Sequence, residues 1–298
     1  MPSTVKDASP RWLKDLANKA TRAYATHTAS MRPVPDFMVI GTKRGGTTSM
    51  FRYLLMHPGI LGLYPQSRGK KGTEYFFRHT AQDDAWYRSH FHAEPYRRMR
   101  ERRLGYRPLS GEASPYYLWD PRVAGRVHAV APNIKAIVLL RDPVKRAWSH
   151  YQERVANGVE PLDFGEALRS ESDRLDGELE KMLADPHYYS AAHDFYSYRA
   201  RGEYLPQLQN WFSYFDQSQV LILRSEQMYD DVQATLDRVS DFLGLPRHEL
   251  PTTKTFNSGA RRPFDPAIRA ELTEYFAAPN RALEEYLGIP LHWSSPTT

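Results

Sequence analysis

The sequence predicts one α/β domain, a central and mainly parallel sheet flanked by helices, on three observations. Strand-like and helical segments alternate along the whole chain instead of clustering in halves. Ile134–Leu140 (IKAIVLL) is continuous and rich in β-branched residues, as a strand buried on both faces is. Asp36–Phe51 (DFMVIGTKRGGTTSMF) runs from a short apolar stretch through a glycine-rich turn into a helical segment.

The elements follow in order. Ser9–Ala29 carries Trp12, Leu13, Leu16, Ala17 and Ala20 at helical spacing, with Ser9-Pro10 as its start. Residues 1–35 therefore read as an N-terminal helical extension, and 36–298 as a single domain. Phe37–Ile40 reads as the first strand and Ser49–His57 as the helix after it, stopped by His57-Pro58-Gly59. Ile60–Tyr64 is a short strand, and Lys71–Phe77 is a strand or turn with its aromatics in the core. Asp83–Phe91 is helical, Pro95–Arg107 is strongly basic, and Leu109–Tyr117 (LSGEASPYY) is a strand end meeting a turn. Pro121–Val130 is a helix, Ile134–Leu140 a strand, and Pro143 suits the first turn of the next helix. Asp163–Leu183 reads as one charged surface helix. Tyr188–Tyr198 is aromatic-rich, and Arg201–Phe215 is an amphipathic helix with Leu205, Leu208, Trp211, Phe212 and Phe215 inward. Val220–Leu223 is a strand, and Val232–Leu243 a helix closed by Gly244 with Pro246 beyond. Leu250–Phe264 is a loop before the last helix, Pro266–Leu287.

At 298 residues the chain has room for one large core or two small ones, and alternation favours one. It has no cysteine, which excludes a disulfide framework and a thiolate metal site. No apolar run approaches the roughly 18–20 residues of a membrane span, and residues 1–31 lack the apolar core of a signal peptide. The expected setting is the cytoplasm. A net charge of +5 points to a polyanionic ligand. The basic residues are scattered, without zinc-finger spacing or an RNA-binding aromatic signature, so a nucleotide with several phosphates is expected and nucleic acid is not.

The turn after the first strand names the chemistry. Gly45 and Gly46 let backbone approach an anion, and the N–H groups of the following helical turn point at it. Lys43 and Arg44 add charge, and Thr47, Thr48 and Ser49 add hydroxyl donors. Gly41 to Gly46 has the outer spacing of a triphosphate-binding loop, G-x-x-x-x-G-K-[ST], but Thr47 stands where that loop has lysine. The cations lie inside the loop, which argues against an ATP or GTP hydrolase. Farther on, the buried strand ends in Arg141-Asp142-Pro143, with Ser149 on the helix beyond. Ligands of open α/β sheets sit outside the carboxyl ends of strands. Arg141 and Ser149 thus mark a second anion site, the alternative being an ordinary ion pair at Arg141.

GTKRGGTTS and LRDPVKRAWSHY, about a hundred residues apart, together resemble the sulfotransferases that use 3′-phosphoadenylyl sulfate (PAPS), in the branch holding heparan sulfate and other carbohydrate sulfotransferases. Lys71–Phe77, Gly111–Tyr117, Arg201–Trp211 and Lys254–Tyr286 extend the resemblance over most of the chain from Asp36. It implies a P-loop-like three-layer fold; Arg44, Lys43 and the helix N-terminus neutralise the charge of transfer, so no metal is expected, and the cysteine-free chain without a membrane segment suggests a bacterial enzyme. The first loop (Lys43 to Ser49) would hold the 5′-phosphosulfate, and Arg141 and Ser149 the 3′-phosphate. FNSGARR would close over the nucleotide through Phe256, Ser258, Gly259, Arg261 and Arg262, with Phe256 against adenine. Arg44 stands where the nearest members in motif have lysine, and electrostatic stabilisation falls to it with Lys43 as helper.

A second departure concerns the base. In heparan sulfate 3-O-sulfotransferases a glutamate follows the position of Lys71, but this chain has Gly72 there, so Glu74 and Glu112 become the candidates. The implied reaction moves a sulfuryl group from PAPS to a hydroxyl, or less readily an amine, of a saccharide or natural-product acceptor, releasing 3′-phosphoadenosine 5′-phosphate (PAP). A P-loop small-molecule kinase and a non-catalytic nucleotide or glycan binder are the alternatives.

Overall fold

The computed structural model describes residues 11–65, 70–251 and 264–293, with backbone only for 11–18. Strands β1 (Phe37–Gly41), β2 (Ile60–Leu61), β3 (Leu109–Ala113), β4 (Lys135–Leu140) and β5 (Val220–Arg224) form one five-stranded sheet in the order β2-β3-β1-β4-β5. Every pairing is parallel. The chain goes from β1 out to the β2 edge, returns through β3, then crosses to β4 and β5. Strand order therefore reverses at β1, and the crevice beyond β1 and β4 is where such sheets bind ligands.

Helices fill both faces. They are α1 (Arg11–His27), α2 (Thr47–Leu54), α3 (Asp84–Arg88), α4 (Glu94–Leu104), α5 (Val123–Val130), α6 (Pro143–Ala156), α7 (Phe164–Arg169), α8 (Glu171–Leu175), α9 (Glu178–Ala184), α10 (Ala191–Phe195), α11 (Tyr204–Phe212), α12 (Ser225–Asp230), α13 (Val232–Leu243) and α14 (Pro266–Leu287). Period-two alternation sorts the strand side chains. Met38, Ile40, Ala136, Val138 and Leu140 pack with Val127, Leu208 and Trp211 on one face. Phe37, Val39, Ile137 and Leu139 pack with Phe51, Leu54, Val239 and Leu243 on the other. Where β1 meets β3, Phe37 pairs with Gly111, and a Cβ on Gly111 would lie 2.2 Å from the Phe37 ring. Among the described residues, no helix is long and apolar enough to cross a membrane.

The structure shortens or divides several expected elements. The helix expected to open at Ser49 opens at Thr47, Ile60–Tyr64 keeps a two-residue strand, and Lys71–Phe77 is loop and turn. Asp163–Leu183 is three helices. Glu171 is turned inward, accepting from the N–H groups of Arg199 (2.7 Å) and Ala200 (2.9 Å), and Gly177 takes a φ of +68° before α9. Local charge pattern could not show that inward turn. Arg201 is a buried residue of a single 3-10 turn, and the amphipathic helix begins only at Tyr204. Helix α12 had no expectation; α13 and α14 have the bounds read from their caps.

Candidate active site

The site is built at the β1–α2 junction. The N–H of Thr42 donates to Leu139 O at 2.9 Å, and the N–H of Gly45 to Thr42 O at 2.9 Å. These bonds press the loop onto the end of β4. A Cβ on Gly45 would sit 2.6 Å from Leu139 O, so glycine is required by close approach. Gly46 caps α2 at φ +88° and offers no side-chain acceptor to the first-turn N–H groups of Thr47, Thr48 and Ser49. The Ser225 hydroxyl fixes the loop from outside, donating to Gly45 O and Leu140 O.

The two loop cations diverge. Arg44, at φ +69°, turns toward α6, donating from Nε to Ser149 Oγ at 3.0 Å with its guanidinium 3.6 Å from Glu153. Arg141 Nη1 donates to Arg44 O at 2.9 Å, and Tyr204 holds Arg141 O at 2.8 Å. The first loop, Arg141 and Ser149 therefore meet at one place beyond β1 and β4. Asp142 caps α6, accepting from the N–H groups of Val144 (2.9 Å) and Lys145 (3.3 Å), which orients the turn bearing Ser149.

Lys43 turns the other way, into a cavity of about 420 Å³ lined by Lys43, Lys70, Lys71, Glu74, Arg78, His79, Tyr116 and Asp194 among others. Its Nζ lies 3.1 Å from Asp194 Oδ1. Burial and the nearby Arg201 charge lower the Lys43 ammonium to about 8 against the pull of Asp194. Lys71 Nζ donates to Thr47 Oγ1 at 3.1 Å, at the mouth of α2. Burial brings it to about 8 as well, with the Glu153 carboxylate opposing. Burial pushes Asp194 up, but Lys43 and Arg201 outweigh it and hold the carboxylate near 2.

The two candidate bases occupy different environments. Glu74 lines the cavity, about 44% exposed, with Arg78 3.2 Å away. Glu112 is fully buried and corrects the expectation made for it. Its oxygens accept from the Thr73 N–H (2.7 Å) and hydroxyl, Ser114 Oγ (3.1 Å) and Tyr87 OH (2.9 Å). Burial raises its pKa against those same hydrogen bonds. Committed to internal donors, it anchors the Lys71–Tyr75 loop and does not face the cavity.

Phe256, Ser258, Gly259, Arg261 and Arg262 lie outside the described residues. Sequence reasoning did not count Lys71, Asp194, Arg78 or Tyr189 among the site residues. Lys71 had a signal, its place before an aromatic run; Asp194 had none, because its importance comes from two elements meeting. The arrangement offers a helix N-terminus and converging Arg, Lys and hydroxyl donors for phosphate or sulfate oxygens, next to a cavity with a carboxylate on its wall.

A family model described as "Sulfotransferase domain" matches residues 34–258. The membrane-associated sulfotransferase kil1 of Dictyostelium discoideum is 26% identical over 88% of this chain and 67% of its own length. Human heparan sulfate glucosamine 3-O-sulfotransferase 6 is 28% identical over 78% of this chain. The chain spans 58% of the length of that human relative. A sulfotransferase crystal structure from Alicyclobacillus acidocaldarius superposes with a TM-score of 0.65 at 28% identity, covering 88% of this chain and 99% of that one.

Proposed function

Since the chain belongs to the sulfotransferase domain family, matched over residues 34–258, we propose that it takes its sulfuryl group from PAPS and delivers it to a hydroxyl of a saccharide or glycosylated small molecule. The observation that carries this reading is the meeting of Arg44, Arg141 and Ser149 beside the N-terminus of α2. One adenosine phosphorylated at two ends needs two anion sites within a single crevice, and a nucleoside triphosphate does not.

The residues fit such a donor. The first turn of α2, Thr47, Thr48, Ser49 and Arg44 would hold the 5′-phosphosulfate, and Arg141 and Ser149 the 3′-phosphate. When bound, PAPS supplies an activated sulfuryl group and a phosphate leaving group. The chain's own part is electrostatic and geometric. Lys43 and Lys71 flank the passage from α2 to the cavity, where they would offset negative charge on the departing phosphate oxygen. Glu74, on the cavity wall, is placed to receive the acceptor's proton. Holding both partners in line supplies the rest.

The sugar class of the acceptor rests on the heparan sulfate relatives, and the cytoplasmic, bacterial setting and the boundary at residue 36 rest on the sequence; all belong to this proposal. Calorimetry tests the donor directly: PAP binds and ATP with Mg²⁺ does not. ATP binding with no PAP binding overturns the reading. A transfer screen with radiolabelled sulfate over mixed saccharide and natural-product acceptors then finds the acceptor, and loss of signal on omitting PAPS is the control.

A further inference from the structure

Asp194 joins the two sides of the cavity. On one oxygen it receives Lys43 Nζ at 3.1 Å and Arg201 Nη2 at 3.5 Å. On the other it receives the Tyr189 hydroxyl at 2.7 Å and faces Arg78 Nη2 at 4.0 Å. Arg78 in turn accompanies Glu74 at 3.2 Å and donates to Tyr189 OH at 2.9 Å. The carboxylate itself is rigidly seated. Arg201 is fully buried, donates to the carbonyls of His193 (3.0 Å) and Asp194 (3.1 Å), and lies over the rings of Tyr116 and Trp119. Lysine is a point charge on a four-carbon stem and needs such an anchor to stay at one place in a cavity.

We propose that Asp194 is a positioning residue for sulfuryl transfer, holding Lys43 at the passage between α2 and the cavity with one carboxylate oxygen and Arg78, with Glu74 beyond it, on the acceptor side with the other. It rests on the donor reading above, since Lys43 matters to transfer only as a contact of the donor. The groups facing Lys43 are Asp194 from α10, Arg201 from the turn before α11, and Glu153 and Arg154 from α6. Removing the Asp194 charge leaves two guanidiniums against one carboxylate, so protonated Lys43 becomes harder to keep.

The test is Asp194→Asn in the full chain, with PAP affinity measured by calorimetry from pH 6 to above 9. The amide keeps the size of the side chain and an acceptor for Tyr189. Wild-type affinity is expected to fall as pH rises through about 8. In D194N the fall should begin about one pH unit lower, with affinity at pH 6 within about threefold of wild type and kcat about a hundredfold down. Retained binding at pH 6 shows that the variant is folded. Lys71 does not touch Asp194, so a pH dependence identical to wild type assigns the fall to Lys71 and overturns the proposal. A loss of affinity equal at every pH overturns it too, because it reports only structural damage. Arg78→Gln tests the other arm: kcat falls with PAP affinity intact, and an unchanged kcat removes Arg78 from the role. Wild-type protein that binds no PAP at any pH defeats the donor reading before any variant is made, and this inference with it.

Discussion

Arg44 donates to the Ser149 hydroxyl at 3.0 Å, tying the β1–α2 loop to a helix 105 positions farther along the chain. Its backbone carbonyl is held by Arg141 as well. One residue thus spans both proposed phosphate sites, as a fixed guanidinium fork can and a lysine cannot. Arg44→Ala should lower kcat by about a hundredfold or more and weaken PAP binding. The side chain is about a third exposed, so the melting temperature should barely move. Undiminished turnover in that variant would remove Arg44 from the reaction.

Ser149→Ala separates the two ends of the nucleotide. The hydroxyl is proposed to contact the 3′-phosphate alone, so PAP affinity should fall about tenfold to a hundredfold, the worth of one charge-assisted hydrogen bond. Affinity for adenosine 5′-phosphosulfate, which lacks that phosphate, should be unchanged. Calorimetry with both ligands decides it, and equal losses for the two would move Ser149 out of the 3′ site.

The lysines give a pH dependence with a definite sign. Lys43 and Lys71 are each brought to about 8 by burial, below the usual 10.4 of the unfolded chain. An anion favours their protonated forms, so PAP should bind best below pH 8 and weaken above it, taking up protons on binding. In the free protein the sign reverses: the unfolded chain holds more protons between about 8 and 10.4, so this contribution to stability grows as pH rises through that window. Calorimetry of PAP binding at pH 8.5 in two buffers of different ionisation enthalpy measures the uptake directly. No difference between the buffers would remove both lysines from the donor site.

Glu74 and Glu112 should fail in different ways when each is changed to glutamine. Glu74→Gln is expected to lower kcat about a hundredfold to ten-thousandfold with the melting temperature unchanged, since the side chain is nearly half exposed and lines the cavity. Glu112→Gln places an amide among the Thr73, Ser114 and Tyr87 donors, costing about 1–3 kcal/mol of stability. A melting curve and a turnover measurement on each variant suffice. If Glu112→Gln lowers turnover with full stability, the assignment of its role is reversed.

Much of this was legible because the signals were local. Continuous apolar runs marked β1 and β4, capping residues marked α13 and α14, and GTKRGGTTS with LRDPVKRAWSHY marked a family that the domain match supports. What stayed hidden depended on distant elements meeting. Nothing beside Glu112 in the sequence announces that Thr73 and Tyr87 will enclose it, and Asp194 gains its place only when α10 comes to lie against the first loop. The divergence of Lys43 and Arg44 was equally hidden, because it follows from a positive φ at Arg44, a conformation that favours glycine.

Gly72 stands where the resemblance to heparan sulfate 3-O-sulfotransferases leads one to expect glutamate. Gly72→Glu is the direct way to put a carboxylate back at this position. The geometry argues otherwise: a Cβ at this position would lie 2.2 Å from Ser114 Oγ and 2.5 Å from the Ala113 carbonyl. The hydroxyl could rotate away only by leaving Glu112, and the carbonyl belongs to backbone that cannot yield. The Ala113 N–H is also bonded to Lys71 O at 2.7 Å, so any shift of the strand end carries Lys71 with it. Gly72→Glu should therefore lower the melting temperature, overpacking of this kind costing about 1–3 kcal/mol, and should reduce transfer through displaced Lys71. A variant as stable as wild type and more active would show that the loop can move aside, and that a carboxylate at 72 can replace Glu74.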